Sequence, residues 1–223
     1  QATSIVVECD GSGNEGAVEA WLASNGGAAA TDSCSDVTWT NDFDALSNDC
    51  STAITVIFTA TDACGNTATT SATFAVQDNT APVAPEAPAD VTVACASEVP
   101  ATISLTATDN CAGEITVEGV DSIVAGDCPN SFVITRTWTF VDACGNETPI
   151  SQTITVDDTV QPEITTEATN LVVECDGSGN EDVIQAWLAS NGGATATDNC
   201  SDVTWSNDFS NLSNDCSTAI TVT

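Results

Sequence analysis

The chain contains no lysine, no histidine and no tyrosine, and Arg136 is its one basic side chain. Without His or Lys it lacks the usual general base, the Schiff-base amine and the commonest metal ligand, so catalysis is not expected. Without clustered Lys or Arg it has no means of neutralising phosphates, which argues against nucleic acid as a partner. No CxxC pair occurs among the 11 cysteines and no His completes a zinc site, so disulfides explain them better than metal thiolates. Disulfides in turn imply an oxidising, exported location. No apolar run approaches the roughly 20 residues of a membrane span, so direct membrane insertion is not expected.

What is present is acid. Against the single Arg stand 33 Asp and Glu, giving a formal net charge of −32, while an apolar fraction of 42% is enough to build cores. The carboxylates are spread along the chain, which describes a solvated surface that repels its neighbours and attracts cations. No signal peptide opens the sequence and its last residues stop mid-pattern, from which we expect an internal piece of a longer exported chain.

The sequence also repeats itself. VVECDGSGN at Val6 returns at Val172, 166 residues later, and the same shift places Cys9 on Cys175, Cys34 on Cys200, Cys50 on Cys216 and Trp21 on Trp187. Within that period TDACGN at Thr61 is echoed by VDACGN at Val141, and TDSC at Thr31 by TDNC at Thr108 and Thr197. The units are about 80 residues long and alternate in type. We assign repeat A to residues 1–84, repeat B to 85–164 and a truncated repeat A′ to 165–223. A and B carry four cysteines each and A′ carries three, so the odd total is expected to reflect truncation, with Cys200 lacking its partner.

Strand signals dominate each unit. Ile54, Val56, Phe58 and Ala60 alternate with Thr55, Ile57, Thr59 and Thr61, DACGN supplies a turn, and Ala72, Phe74 and Val76 share one face of the next strand. Many short Thr- and Val-rich strands spaced by Gly, Asn and Asp predict an all-β chain of tandem immunoglobulin-like β-sandwich domains. In A, NEGAVEAWLASNGG predicts one short inserted helix, capped by Asn14, ended near Gly26, and stapled to the sandwich by Trp21; A′ repeats it with Asn180 and Trp187. B lacks the helix. Trp39 and Trp205 are expected as core residues of a central strand. Arg136 shares strand parity with Ile134, Trp138 and Phe140, and is expected at the sandwich rim, reaching outward to a carboxylate. The linker APVAPEAPAD, residues 81–90, should be extended and semi-rigid, so that the repeats form an elongated rod.

Topology suggests a cysteine pairing. The first and third cysteines of a unit fall at one end of the sandwich and the second and fourth at the other. The expected bridges are therefore Cys9–Cys50, Cys34–Cys64, Cys95–Cys128, Cys111–Cys144 and Cys175–Cys216.

Together VVECDGSGN, WLASNGGA, ATDNCSDVTWSNDF, TATDACGN and VDDTVQP resemble the HYR-like, four-cysteine immunoglobulin-like repeats of giant surface adhesins of gliding Bacteroidetes, the SprB-like class. The resemblance spans essentially the whole chain. It implies a tandem array exported by type IX secretion to the bacterial cell surface, forming a stalk or filament for adhesion or gliding motility. Its implied partners are neighbouring repeats of the same long chain, a surface polysaccharide or the outer-membrane motility machinery. It also implies O-glycosylation at Asp, Ser or Thr, apolar tripeptides, which Ser122 and Thr159 match.

Calcium is the candidate cofactor. If one repeat's last strand enters the top of the next, Asp78 approaches Asp109 and Asp142, while Asp157 and Asp158 approach Asp198. Several carboxylates with carbonyls and water would suit a hard cation. The other reading is that Asp in TDNC, DACGN and DDT orders turns through side-chain hydrogen bonds. Two further functions compete with the stalk: a carbohydrate-binding module array, which calls for several exposed aromatics on one face, and an accessory region of a secreted hydrolase.

Overall fold

Alternation of Thr with apolar residues builds the central hairpin of repeat A. The computed structural model describes residues 1–46, 52–174, 177, 179–211 and 219–223. Within it β1 (Ile5–Glu8), β2 (Thr38–Asn41), β3 (Ala53–Thr61) and β4 (Thr67–Gln77) form a four-stranded sheet in the order β1-β4-β3-β2. β3 and β4 pair antiparallel from Ala53↔Ala75 to Thr61↔Thr67, whereas β1 runs parallel to β4. The inward set is the one the period-2 pattern selects: Val56, Phe58, Ala60, Ala72, Phe74 and Val76 are all buried.

Helix α1 (Glu15–Ala23) covers this face and buries Val18 and Trp21. The Trp21 ring meets Phe58 edge-on, with centroids 5.2 Å apart, and its indole N–H donates to the Thr3 carbonyl at 3.0 Å. The staple expected of Trp21 is therefore made. The expected cap is not: Asn14 stands at the N-cap position with φ 53° and makes no side-chain cap bond. Its amide instead donates to the Glu8 carbonyl, and Asp10 Oδ1 accepts from the N–H groups of Ser12 and Asn14. The carboxylate thus orders the turn that the amide was expected to close. The chain leaves the helix through Gly26, at φ 63°, where a Cβ would meet Phe58 Cε2 at 3.0 Å.

In repeat B, β5 (Val91–Val93), β8 (Val120–Ala125), β9 (Ser131–Val141) and β10 (Glu147–Asp157) form a second sheet in the order β5-β10-β9-β8. β6 (Ser104–Asp109) and β7 (Gly113–Glu118) pair antiparallel beside it. Trp138 and Phe140 are fully buried with Ala107, against Leu105, Ile115 and Val117. The Trp138 N–H donates to the Ile103 carbonyl at 2.8 Å. This, and neither Trp39 nor Trp205, is the fully enclosed tryptophan. Trp39 is half-buried on its edge strand against the first core, and Trp205 is 41% exposed.

Arg136 also departs from expectation. It does not reach out at a rim but is only 3% exposed, with Nε 2.7 Å from Asp121 Oδ1, Nη2 2.9 Å from Asp121 Oδ2 and Nη1 donating to the Ala101 carbonyl. The expected carboxylate partner exists, but it comes to the guanidinium. Gly119 makes room for the stem, since a Cβ there would lie 2.9 Å from both Arg136 Cγ and Trp138 Cε2.

The linker is not free, because Val83 bridges Thr108 through two backbone hydrogen bonds and Thr148 donates to the Pro82 carbonyl. In A′, β11 (Glu163–Thr166) pairs antiparallel with β12 (Thr195–Thr197), and α2 (Glu181–Ala189) buries Ile184. Among the described residues the fold is mostly β, with two nine-residue α-helices. One compact unit comprises Gln1–Ala89, Ala101–Asp121 and Thr135–Gln152, and the other Asp90–Pro100, Ser122–Ile134 and Thr153–Thr223. Each unit draws on two successive sequence repeats.

Candidate functional site at the repeat junctions

Aspartate shapes both cysteine loops. In the TDSC and TDNC loops, Asp32 accepts from the N–H groups of Cys34 and Ser35, Asp109 from Cys111 and Ala112, and Asp198 from Cys200 and Ser201, all at 2.7 to 3.0 Å. In the DACGN hairpins, Asp62 holds the N–H groups of Cys64 and Asn66, and Asp142 those of Cys144 and Asn146. These bonds, led at Asp62 by the one from the Asn66 side-chain amide, favour the charged carboxylate and pull Asp32, Asp62 and Asp198 below their ordinary range. At Asp142 burial pushes upward, but the Asn146 and Cys144 bonds outweigh it. The turn reading of these residues is the one the geometry bears out.

The loops present their cysteines across repeat boundaries. Cys9 is bonded to Cys111, 102 residues on, and Cys95 to Cys200, 105 residues on. In each case the first cysteine of one repeat joins the second cysteine of the next. This corrects the expected Cys9–Cys50, Cys95–Cys128 and Cys111–Cys144 bridges, and it gives Cys200 the partner it was expected to lack. Cys144 is disulfide-bonded too. Cys34 and Cys64, expected as a pair, are both free and exposed, as is Cys128. Cys50 and the Cys175–Cys216 bridge lie outside the described residues.

The reason is strand direction. Because β1 runs parallel to β4, Cys9 sits level with the end of β4, its N–H donating to the Gln77 carbonyl at 2.8 Å. The chain leaves the repeat at that end, so Cys9 faces the entry loops of B and not its own. The sequence pattern assigns the first and second cysteines to opposite ends correctly; the error lies in assuming that each repeat closes on itself. Around the first bridge the Asn110 amide donates to the Cys9 carbonyl at 2.6 Å, and Asn110 packs so tightly against Gly11 that no Cβ fits there. Around the second, Asn130 is buried, accepts from Ala96 N–H and donates to the Cys200 carbonyl. Neither asparagine stood out in the sequence; Asn110 had a signal in its place beside Cys111 in the recurring TDNC motif, whereas Asn130, in CPN, had none.

The first junction also gathers acid, as expected. Burial, then the charges of Asp109, Asp142 and Glu8, push the Asp78 carboxyl above its ordinary range. Ligating atoms of Asp78, Asp142 and Cys144 lie within 4.8 Å of one another. This group alone does not make up a calcium shell, which takes six to eight oxygens. Cys144 Sγ is in a disulfide, both Asp142 oxygens accept hydrogen bonds, and Asp78 Oδ1 accepts from Thr80 N–H. Asp109 Oδ2, beside this group, is buried without a partner. Asp157, Asp158 and Asp198 form no such group among the described residues.

Ser122 and Thr159 are both exposed. Among the described large apolar side chains, Trp205 is the one exposed aromatic, so no platform of stacked rings for a sugar is present there. No described helix is long and apolar enough to cross a membrane.

Residues 83–156, which hold all four cysteines of repeat B, match the family model of the HYR-like domain with 4 cysteines. No curated protein matches the chain. The match makes this stretch an HYR-like repeat and, with the disulfides, points to an extracellular, adhesion-type repeat protein.

Proposed function

We propose that the chain belongs to the structural repeat region, a stalk or filament, of a large secreted bacterial cell-surface adhesin that serves adhesion or gliding motility. The observation that carries this reading is the covalent joining of successive repeats through Cys9–Cys111 and Cys95–Cys200. A protein that only needed stable domains would be served by bridges inside each repeat. Bridges between repeats resist being drawn apart, which is the demand on a tether under load. In this reading the repeats carry no catalysis and line up as a rod. Their partners are neighbouring repeats, with a surface polysaccharide or motility machinery engaged elsewhere on the parent protein and type IX secretion as the export route.

Antibodies raised against the chain should label intact, unpermeabilised cells of its source and reduce their attachment to surfaces. Labelling that required permeabilisation would sink the surface assignment, and intact attachment despite full labelling would leave the chain without the mechanical role.

A further inference from the structure

Cys34 has a counterpart whose state is known. TDSCSDVTW, residues 31–39, and TDNCSDVTW, residues 197–205, differ at one position. Their loops also agree in geometry: Asp32 Oδ1 accepts from Cys34 N–H, Ser35 N–H and Ser35 Oγ at 2.8, 2.9 and 3.3 Å, and Asp198 Oδ1 accepts from Cys200 N–H, Ser201 N–H and Ser201 Oγ at 2.9, 3.0 and 3.2 Å. Cys200 is bonded to the first cysteine of the repeat before it, and so is Cys111. Cys34 has the same loop and an exposed, unbonded thiol.

We propose that the Cys34 loop is a preformed docking point for a preceding repeat of the same kind, whose first cysteine, the equivalent of Cys95, bonds to Cys34. This rests on reading the chain as part of a repeat array and adds the rule by which the array is joined: first cysteine of each repeat to second cysteine of the next. Formation of the bond takes two thiols to one cystine, releasing two protons and two electrons, and an external disulfide such as oxidised glutathione accepts them and becomes two thiols. The competing mate is Cys64, whose loop is close, with Ala63 N–H donating to Ser35 Oγ at 3.2 Å. One feature does not carry over: Ser33 stands where Asn110 and Asn199 stand, so the amide that donates to the Cys9 carbonyl at the first junction has no equivalent.

The test is the full chain extended at its amino end by a second copy of residues 85–164, oxidised in a glutathione buffer and alkylated. With one Arg and no Lys to cut at, it is digested by an Asp- or Glu-directed protease and mapped by mass spectrometry without reduction. The expected result is a peptide joining Cys34 to the Cys95 of the added copy, with complete loss of alkylation at Cys34. Cys34→Ser should leave that added cysteine alkylated. A Cys34–Cys64 peptide, or an alkylated Cys34 in the extended chain, overturns the proposal. If either appears while Cys9–Cys111 and Cys95–Cys200 are present, only the docking rule falls. If those two bridges are missing as well, the interlinked array falls with it.

Discussion

Arg136 and Asp121 show how unequally the two halves of an ion pair can be exposed. The guanidinium is 3% exposed and the aspartate side chain 27%, so removing each strands a different partner. The side-chain bond from Arg136 holds the Asp121 carboxyl below its ordinary range. Asp121→Ala leaves a buried cation with only the Ala101 carbonyl, and should cost about 3 kcal/mol in denaturant unfolding. Arg136→Met leaves a carboxylate that water can reach and should cost less than half of that; equal losses would show that the burial difference does not matter. Asp78 presents the opposite case, a carboxylate that the fold disfavours. Its pKa is raised by burial and by Asp109, Asp142 and Glu8, so the folded state pays for its charge above that pKa and is relieved as pH falls through it. Asp78→Asn keeps an acceptor for Thr80 N–H and should raise the melting temperature by a few degrees at pH 7. The gain should shrink in acid and vanish below the ordinary carboxylate pKa, and a gain independent of pH would rule out this cause.

At the scale of elements, the two helices form a controlled comparison. α1 buries Trp21 against Phe58 and Phe74, whereas Trp187 of α2 is half-buried, its N–H donating to the Thr169 carbonyl. Trp21→Ala should therefore cost about 3 to 5 kcal/mol, and Trp187→Ala about 1 kcal/mol, the worth of a hydrogen bond, each read by chemical denaturation. Comparable losses would mean that the helix does not depend on the sheet beneath it. These elements were legible because each is encoded locally. Period 2 in Ile54 to Thr61 marks the buried face of β3, and Val18, Trp21 and Leu22 mark the inner face of α1. What the sequence did not disclose is relational. A parallel β1 places Cys9 at the exit of its repeat, Asp121 comes to Arg136 from another strand, and Trp138, not Trp39, fills the core because β6 and β7 cover it. None of these leaves a periodic trace along the chain. The acid cluster was foreseen from the order of strands, and the hydrogen bonds on its oxygens were foreseen as turn chemistry.

For the whole molecule, the consequence of bridging across repeats is a covalent short circuit. The loops closed by Cys9–Cys111 and Cys95–Cys200 overlap, so the shortest covalent path from Cys9 to Cys200 crosses one bridge, runs back from Cys111 to Cys95, and crosses the other. It contains 16 residue steps, 111 minus 95, where the backbone path contains 191, 200 minus 9. At roughly 3.4 Å per residue the oxidised path extends to about 55 Å, with little added by the sulfurs, and the reduced one to about 650 Å. Any additional bridge in this span can only shorten the oxidised path. Pulled from its two ends in a single-molecule experiment, the oxidised chain should thus rupture or hold with little lengthening between these cysteines. After reduction the same chain should release several hundred Å more. Bridges confined to single repeats would behave differently, because each repeat would still separate from the next and the linkers would pay out first. If oxidised and reduced chains lengthen alike, the bridges do not carry load and the case for a tether built from interlinked repeats fails.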